Sequence, residues 1–211
     1  MNRYEVQKQA SREAILTAAL LTFKEMGYYA ASVEDIITRG KVSRATFYKN
    51  FKNKLSVSEA LAEKMAENIG NAYEQLGSID NPNLSNIISW LYQIIEITEK
   101  NKLLLSVLAG LFSVEPKLSA VAAAADINRI RKLSKGIPAF RSALIDTARG
   151  SETRDRVQLL LYEVDSISFR LVVHEWKVEK KAAVHFLAHQ IQNFIVELSS
   201  EFSTEATETT L

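Results

Sequence analysis

The sequence contains no cysteine, and it has only 3 histidines among its 211 residues. The absence of cysteine excludes disulfide bonds, thiolate metal ligands and cysteine nucleophiles. It also fits a reducing compartment, so we expect a cytoplasmic protein. The chain has no glycine-rich phosphate loop and no nucleophile elbow. The chain therefore lacks the residues that most catalytic sites require, and we expect neither an enzyme nor a cofactor.

Long apolar runs are absent as well. No stretch reaches the roughly 18 apolar residues that cross a membrane, so we expect no membrane span and no membrane partner. The N-terminal residues MNRYEVQKQASRE carry charge without an apolar run behind it, and we expect no secretory signal. Apolar residues still make up 47% of the chain, which is enough for a globular core.

The charge is unevenly distributed, although the net charge is only +1. Residues 1–54 hold ten Lys or Arg and five Asp or Glu, which gives +5. The remaining residues hold sixteen Lys or Arg and twenty Asp or Glu, which gives a net charge of −4. A basic N-terminal segment favours binding to a phosphate backbone, with an affinity that falls steeply with salt. A solvated charged surface is the alternative.

The stretch 32–51, SVEDIITRGKVSRATFYKNF, predicts two short helices joined by a tight turn. Ser32 and Ser43 stand where helix N-caps are wanted. Phe47 and Phe51 lie four residues apart, so they share a face that can be buried. The other face of the second helix carries cations, hydroxyls and an amide, which suit phosphates and base edges. This pattern is typical of a helix-turn-helix.

The chain resembles the tetracycline-repressor (TetR) family of transcriptional regulators from about Arg12 to Leu61. The matching segments are FKEMG at 23–27, SVEDI at 32–36, VSRATFYKNF at 42–51 and KL at 54–55. The order and spacing hold without a gap. One position departs from the family, which usually has glycine second in its turn triplet, where this chain has Lys41. The glycine frequent in the family's recognition helix is Ala45 here.

The resemblance implies an all-α fold, with an N-terminal three-helix DNA-binding unit and a larger helical domain for ligand binding and dimerisation. It implies a homodimer on a palindromic operator in double-stranded DNA, acting as a repressor that a small-molecule effector releases. We expect base contacts from Arg44, Ala45 and Lys49. Contacts with the DNA backbone are expected from Ser32, Thr46, Tyr48, Asn50 and Lys54.

We expect three segments: a helix-turn-helix domain at 1–53, a helical domain at 54–202 and a disordered tail at 203–211. Periodicity, caps and breakers predict the helices beyond the helix-turn-helix. Their expected ranges are 11–26, 53–76, 84–99, 102–112, 116–135, 138–149, 153–175 and 179–202. Gly27 is expected to stop the first helix, and Gly150 is expected to end the short helix at 138–149. The apolar stripe of the last helix, Val184 to Phe202, could close on a two-fold copy into a four-helix bundle.

The C-terminal part shows no ligand-specific pattern. Ligand sites are apolar with a few polar anchors. The candidates are therefore aromatic residues and one acidic residue, namely Trp90, Tyr92, Phe112, Tyr162, Asp165 and Phe169. Asp165 could pair with a ligand, pair with Arg129 or Arg170, or face solvent. Two alternatives remain open: a DNA-binding regulator without a ligand, and a helical protein that binds metal through His185 and His189.

Overall fold

The computed structural model describes the backbone of residues 3–208 and the side chains of residues 5–201. No β-strand occurs within 3–208, so the predicted all-α fold is confirmed. The helices are α1 (Arg3–Ala30), α2 (Val33–Gly40), α3 (Arg44–Asn50), α4 (Lys54–Gly77), α5 (Leu84–Lys100), α6 (Lys102–Val114), α7 (Leu118–Leu133), α8 (Ala148–Val172) and α9 (Lys180–Glu208), with a 3₁₀ segment at Pro138–Leu144.

The chain folds as two compact units. The first unit comprises the residues up to Ala66 together with Leu103–Ala122. The second comprises Glu67–Lys102 and the chain from Ala123 onward. Helix α4 therefore begins in the first unit and ends in the second.

In the first unit, α1 supports the helix-turn-helix. Its residues Ile15, Ala19 and Phe23 are buried, and α2 and α3 pack against it. Gly27 takes a φ of 76°, a backbone conformation that side chains disfavour. It interrupts α1 as predicted, but the chain then makes a further helical turn to Ala30.

In the second unit, α5 is central and packs against α8 and α9. Its buried apolar residues recur at steps of three and four and form one inward face, which comprises Ile87, Trp90, Leu91, Ile94 and Ile95. The predicted stripe of α9 also packs inward, with Val184, Leu187, Ile191 and Leu198 in the core of the same subunit. That stripe is not the surface available to a second copy.

Several boundaries differ from the prediction. Gly150 was expected to end a short helix at 138–149, but it lies in the first turn of α8, where its N–H donates to the Thr147 hydroxyl at 3.0 Å. Helix α8 ends at Val172 rather than Glu175. Helix α9 continues past residue 202 to Glu208, and the last three residues of the predicted tail lie outside the described residues.

Candidate nucleic-acid interface

Helix α2 starts at a reciprocal cap. The Ser32 hydroxyl accepts from the Asp35 N–H at 3.1 Å, and the Asp35 carboxylate accepts from the Ser32 N–H at 2.9 Å. Both pairs satisfy amides that a helix N-terminus leaves free. The hydrogen bond from the Ser32 hydroxyl holds the pKa of the Asp35 carboxyl below its usual value. Ile36 and Ile37 are buried and fix the inner face of the helix.

The turn between α2 and α3 uses Lys41 where a glycine is usual. Lys41 is left-handed, with φ 50° and ψ 40°, and its N–H points at the carbonyls of the last α2 turn. The Val42 N–H donates to Ile37 O at 3.3 Å, which completes a Schellman cap. Gly40 lies directly against α1, because a Cβ there would stand 3.3 Å from the Ala18 Cβ. Two different residues therefore meet the two requirements of this turn. Gly40 allows the close packing against α1, and Lys41 adopts the left-handed backbone.

Helix α3 is anchored by its aromatic face. Ser43 caps it, accepting from the Thr46 N–H at 3.0 Å. Phe47 is 0% exposed and Phe51 is 4% exposed, so the predicted shared face is buried. The Arg12 guanidinium covers the Phe51 ring at 4.6 Å from its centroid. This anchoring leaves four expected DNA contacts exposed on the outer surface: Arg44, Ala45, Tyr48 and Lys49.

The other two predicted DNA contacts on α3, Thr46 and Asn50, already form hydrogen bonds within the first unit. Thr46 is half-buried, and its hydroxyl shares a 2.8 Å hydrogen bond with that of Ser43. The Asn50 amide nitrogen donates to Thr46 O at 2.8 Å. Its side-chain oxygen is buried and has no hydrogen-bond partner.

An ion pair links the two helices at the outer surface. Arg44 lies 3.3 Å from the Glu34 carboxylate of α2, and both side chains are well exposed. Such a pair contributes little to stability because water and salt screen it. Arg44 can exchange this carboxylate for a base edge or a phosphate at small cost.

Lys54 makes contacts that the sequence did not predict. Its ammonium donates to Tyr28 O, to Ala31 O at 2.7 Å and to Tyr29 O at 3.5 Å. It also lies 4.4 Å from the centroid of the Tyr28 ring. Burial lowers the pKa of this ammonium. Lys54 therefore ties the start of α4 to the carbonyl end of α1, and a phosphate contact would compete with these carbonyls.

The candidate ligand residues do not form one site. Tyr92, Phe112 and Tyr162 are exposed, and Phe169 packs edge-on against His174. Trp90 and Asp165 are instead linked through two further residues of the second unit. The Tyr73 ring packs edge-on against Trp90 at 5.2 Å, and Arg129 donates to the Tyr73 hydroxyl at 3.3 Å and to Asp165 at 2.7 Å. Tyr73 was missed because a single tyrosine among apolar residues carries no sequence signal of a site.

The histidines of α9 have no third ligand beside them. His185 is half-buried and His189 is exposed. No group of three metal-ligating side chains occurs in the described part of the chain. Over the same residues, every helix is too short or too polar to cross a membrane.

Comparisons with known proteins identify relatives of the segment that contains α2 and α3. A family model described as bacterial regulatory proteins, tetR family, matches residues 15–61, which include α2 and α3. An uncharacterized helix-turn-helix transcriptional regulator of Bacillus subtilis (strain 168), YvkB, is 37% identical over 65 residues. That match covers 31% of this chain and about a third, 34%, of the relative.

Solved structures extend the likeness to the whole fold. A putative TetR-family transcriptional regulator from Syntrophomonas wolfei has a TM-score of 0.69 at 18% identity, over 89% of this chain and 96% of that one. A TetR-family regulator from Marinobacter aquaeolei VT8 has a TM-score of 0.66 at 14% identity, over 90% and 97%. At these identities the likeness concerns the fold alone. Residues 15–61 therefore match the tetR family of bacterial regulatory proteins, and the chain shares the fold of the solved TetR-family regulators.

Proposed function

We propose that the protein is a transcriptional repressor that binds a palindromic operator as a homodimer and is released by a small molecule. One observation carries the DNA half of this proposal. Helix α3 is held by the buried Phe47 and Phe51, and it displays cationic and polar side chains in the segment of net charge +5. A rigid helix with such a face suits the major groove.

The contacts divide into two kinds. Arg44, Ala45 and Lys49 read base edges, with Arg44 suited to guanine and the Ala45 methyl suited to thymine. Tyr48 reaches the DNA backbone from the same surface. The other backbone contacts are half-buried or already hydrogen-bonded, so they act at the edges of the interface. They are Ser32, Thr46, Asn50 and Lys54.

The homodimer is supported by an exposed apolar surface on α8 and α9. Leu159 is 68% exposed and Tyr162 is 70% exposed, three residues apart on α8. Phe186 and Val196 are 52% and 58% exposed on α9. Apolar side chains that recur on neighbouring helices suit a four-helix bundle with a second copy. Two-fold symmetry of the protein then requires a palindromic operator.

Ligand release is supported by helix α4. This single helix of 24 residues begins at Lys54, whose ammonium donates to the Tyr28 carbonyl of α1 beside the helix-turn-helix. Near its other end, Tyr73 is buried in the core of the second unit, and its hydroxyl accepts a hydrogen bond from Arg129 at 3.3 Å. A ligand that binds one arrangement of α4 more tightly than another changes the spacing of the two α3 helices.

Footprinting tests the proposal. The purified protein is added to the DNA upstream of its own gene, and the protected bases are mapped. We expect one palindromic footprint, which the Arg44→Ala/Lys49→Ala variant loses and the control Lys181→Ala, an exposed lysine of α9, retains. A footprint that the double variant leaves unchanged would refute α3 as the reading helix.

A further inference from the structure

Helix α1 extends well beyond the segment that matches the family. It begins at Arg3, whereas the family match begins at residue 15. Residues 5–10 of this extension are all exposed, so they add nothing to the core. They include Lys8, which lies four residues before Arg12 and therefore on the same face of the helix. The extension thus carries two cations that are not among the DNA contacts expected from the family resemblance.

Arg12 shows where this face of α1 lies. Its guanidinium stands 4.6 Å from the centroid of the Phe51 ring, and Phe51 is the residue that ends α3. A guanidinium has five N–H donors, so contact with a ring through one side leaves donors for other acceptors. Lys8 lies one helical turn, about 6 Å, further along α1. Lys52 directly follows Phe51 and is exposed. Three cations therefore lie around the C-terminal end of α3.

Nearby carboxylates do not balance this charge. Glu13, the acidic residue next to Arg12, is paired with Lys64 of α4. Glu5, about one turn before Lys8, contributes one negative charge against the three positive charges. An exposed surface that keeps an excess of positive charge attracts polyanions, and the attraction weakens as salt is added.

The end of α3 is also where DNA phosphates are expected. Helix α3 has 7 residues and is therefore about 10 Å long. The major groove is about 12 Å wide, and the two phosphate backbones border it. A helix of this length seated in the groove brings its ends close to these backbones. Cations beside the C-terminal end of α3 then face phosphates rather than base edges.

We propose that Lys8, Arg12 and Lys52 form a further DNA contact, the α1 basic surface, which binds backbone phosphates at the border of each operator half-site. This inference deepens the proposed function and rests on its placement of α3 in the major groove. Phosphate contacts carry no sequence information. The α1 basic surface therefore adds affinity and fixes the orientation of the protein, while Arg44 and Lys49 read the bases.

The test removes one charge of the α1 basic surface at an exposed position, with Lys8→Gln. Binding of the full-length protein to the upstream DNA is measured by fluorescence anisotropy between about 50 and 200 mM salt, where each phosphate contact contributes about 0.9 to the slope of log affinity against log salt. A dimer of the variant lacks two contacts, so the wild type should lose about tenfold more affinity over this range. Preference among single-base operator variants should stay unchanged.

Two further variants complete the design. Arg12→Met keeps an apolar stem over the Phe51 ring and removes the charge, so it should flatten the salt slope by the same amount as Lys8→Gln. The double variant should flatten the slope twice as much. Lys181→Gln is the matched control, because it removes a charge from an exposed lysine of α9, outside the first unit. It should keep the wild-type slope.

A scrambled duplex of the same length separates this inference from the proposed function. Specific binding with an unchanged slope for Lys8→Gln, or equal effects of Lys8→Gln and Lys181→Gln, would refute the α1 basic surface and leave the proposed function intact. Equal binding to both duplexes, with a slope that Lys8→Gln flattens, would support the surface and refute sequence-specific recognition. A loss of base preference in Lys8→Gln would contradict its role as a phosphate contact. Absence of binding to either duplex at low salt would refute both proposals.

Discussion

Arg44 is the residue that most directly tests base reading. Its guanidinium is exposed at the start of α3 and forms a screened ion pair with Glu34. Arg44→Ala should relax preference at one base pair by about 1–3 kcal/mol of discrimination. Binding to single-base operator variants measures this. Unchanged preference at every position would show that Arg44 does not read bases.

Lys54 has a structural contact and an expected phosphate contact, and the two can be separated. Lys54→Met keeps most of the stem and removes the ammonium, so the carbonyls of Tyr28 and Ala31 lose a donor. We expect the free energy of unfolding to fall by about 1–3 kcal/mol in denaturant titrations. Lys52→Met, at an exposed neighbouring position, should have little effect.

The salt dependence of DNA binding by the same variant tests the phosphate contact. Loss of one such contact flattens the salt slope by about one. A stability loss with an unchanged slope would leave Lys54 as a tie between α1 and α4 and contradict the contact that the family resemblance implies.

The cap at Ser32 makes the stability of α2 dependent on pH. The pKa of Asp35 is depressed in the folded protein, so its contribution is present above the unfolded pKa of about 3.9 and is lost as pH falls through the folded value. Ser32→Ala should return the pKa of Asp35 toward its usual value in an NMR titration. The stability difference from wild type should shrink at acid pH. A constant difference down to complete protonation would contradict this.

The sequence predicts the structural role of some residues and not of others. Ser32 and Ser43 were predictable as caps because their side chains act within three residues. The contacts of Lys54 and the pairing of Arg129 with Asp165 join residues 23 or more positions apart. Local patterns do not report such distances, so Arg129 stayed one of several open partners for Asp165.

At the scale of the element, the turn between α2 and α3 gives a clear prediction. Lys41 occupies a left-handed conformation that costs a non-glycine residue about 1–2 kcal/mol. Lys41→Gly should raise the free energy of unfolding by about 0.5–1 kcal/mol, since the added freedom of glycine in the unfolded chain offsets part of the gain.

Thr38→Gly is the matched control for that turn. Thr38 is an exposed residue inside α2, where glycine is unfavourable, and its substitution should lower stability. Destabilisation by both glycines in denaturant titrations would contradict a strained turn at Lys41.

Helix boundaries were predictable where a local signal acts alone. Helices α5 and α6 begin where capping and periodicity place them. The prediction failed at 138–153, because a glycine after a short apolar segment equally predicts a helix end. The structure places it where the backbone of Ile145 comes within 2.2 Å of a Cβ added at Gly150. Close packing, rather than helix termination, requires glycine there, and only the tertiary structure distinguishes the two.

At the scale of the whole molecule, the exposed surface of α8 and α9 predicts a dimer. Phe186→Asp places a charge in that surface and should shift the protein to the mass of a monomer in sedimentation experiments. Ile145→Asp, at a residue 54% exposed outside α8 and α9, should remain dimeric. A dimer that survives Phe186→Asp would require another interface.

The direction in which the apolar stripe of α9 faces shows why the proposed dimer interface is not predictable from the sequence. Its apolar periodicity indicates a buried face, but a subunit core and a dimer interface give the same pattern. The structure assigns the stripe to the core and leaves Phe186 and Val196 on the surface. The all-α fold and the helix-turn-helix followed from the sequence because they depend on local periodicity and on a matched segment of about fifty residues.

The most direct test of the central claim is a salt series of binding to the upstream DNA and to a scrambled duplex of the same length. We expect the protein to bind its operator as a dimer, with an affinity that falls steeply with salt and a clear preference over the scrambled duplex at every salt concentration. Equal binding to both duplexes throughout the series, or no binding at low salt, would contradict sequence-specific recognition by α3.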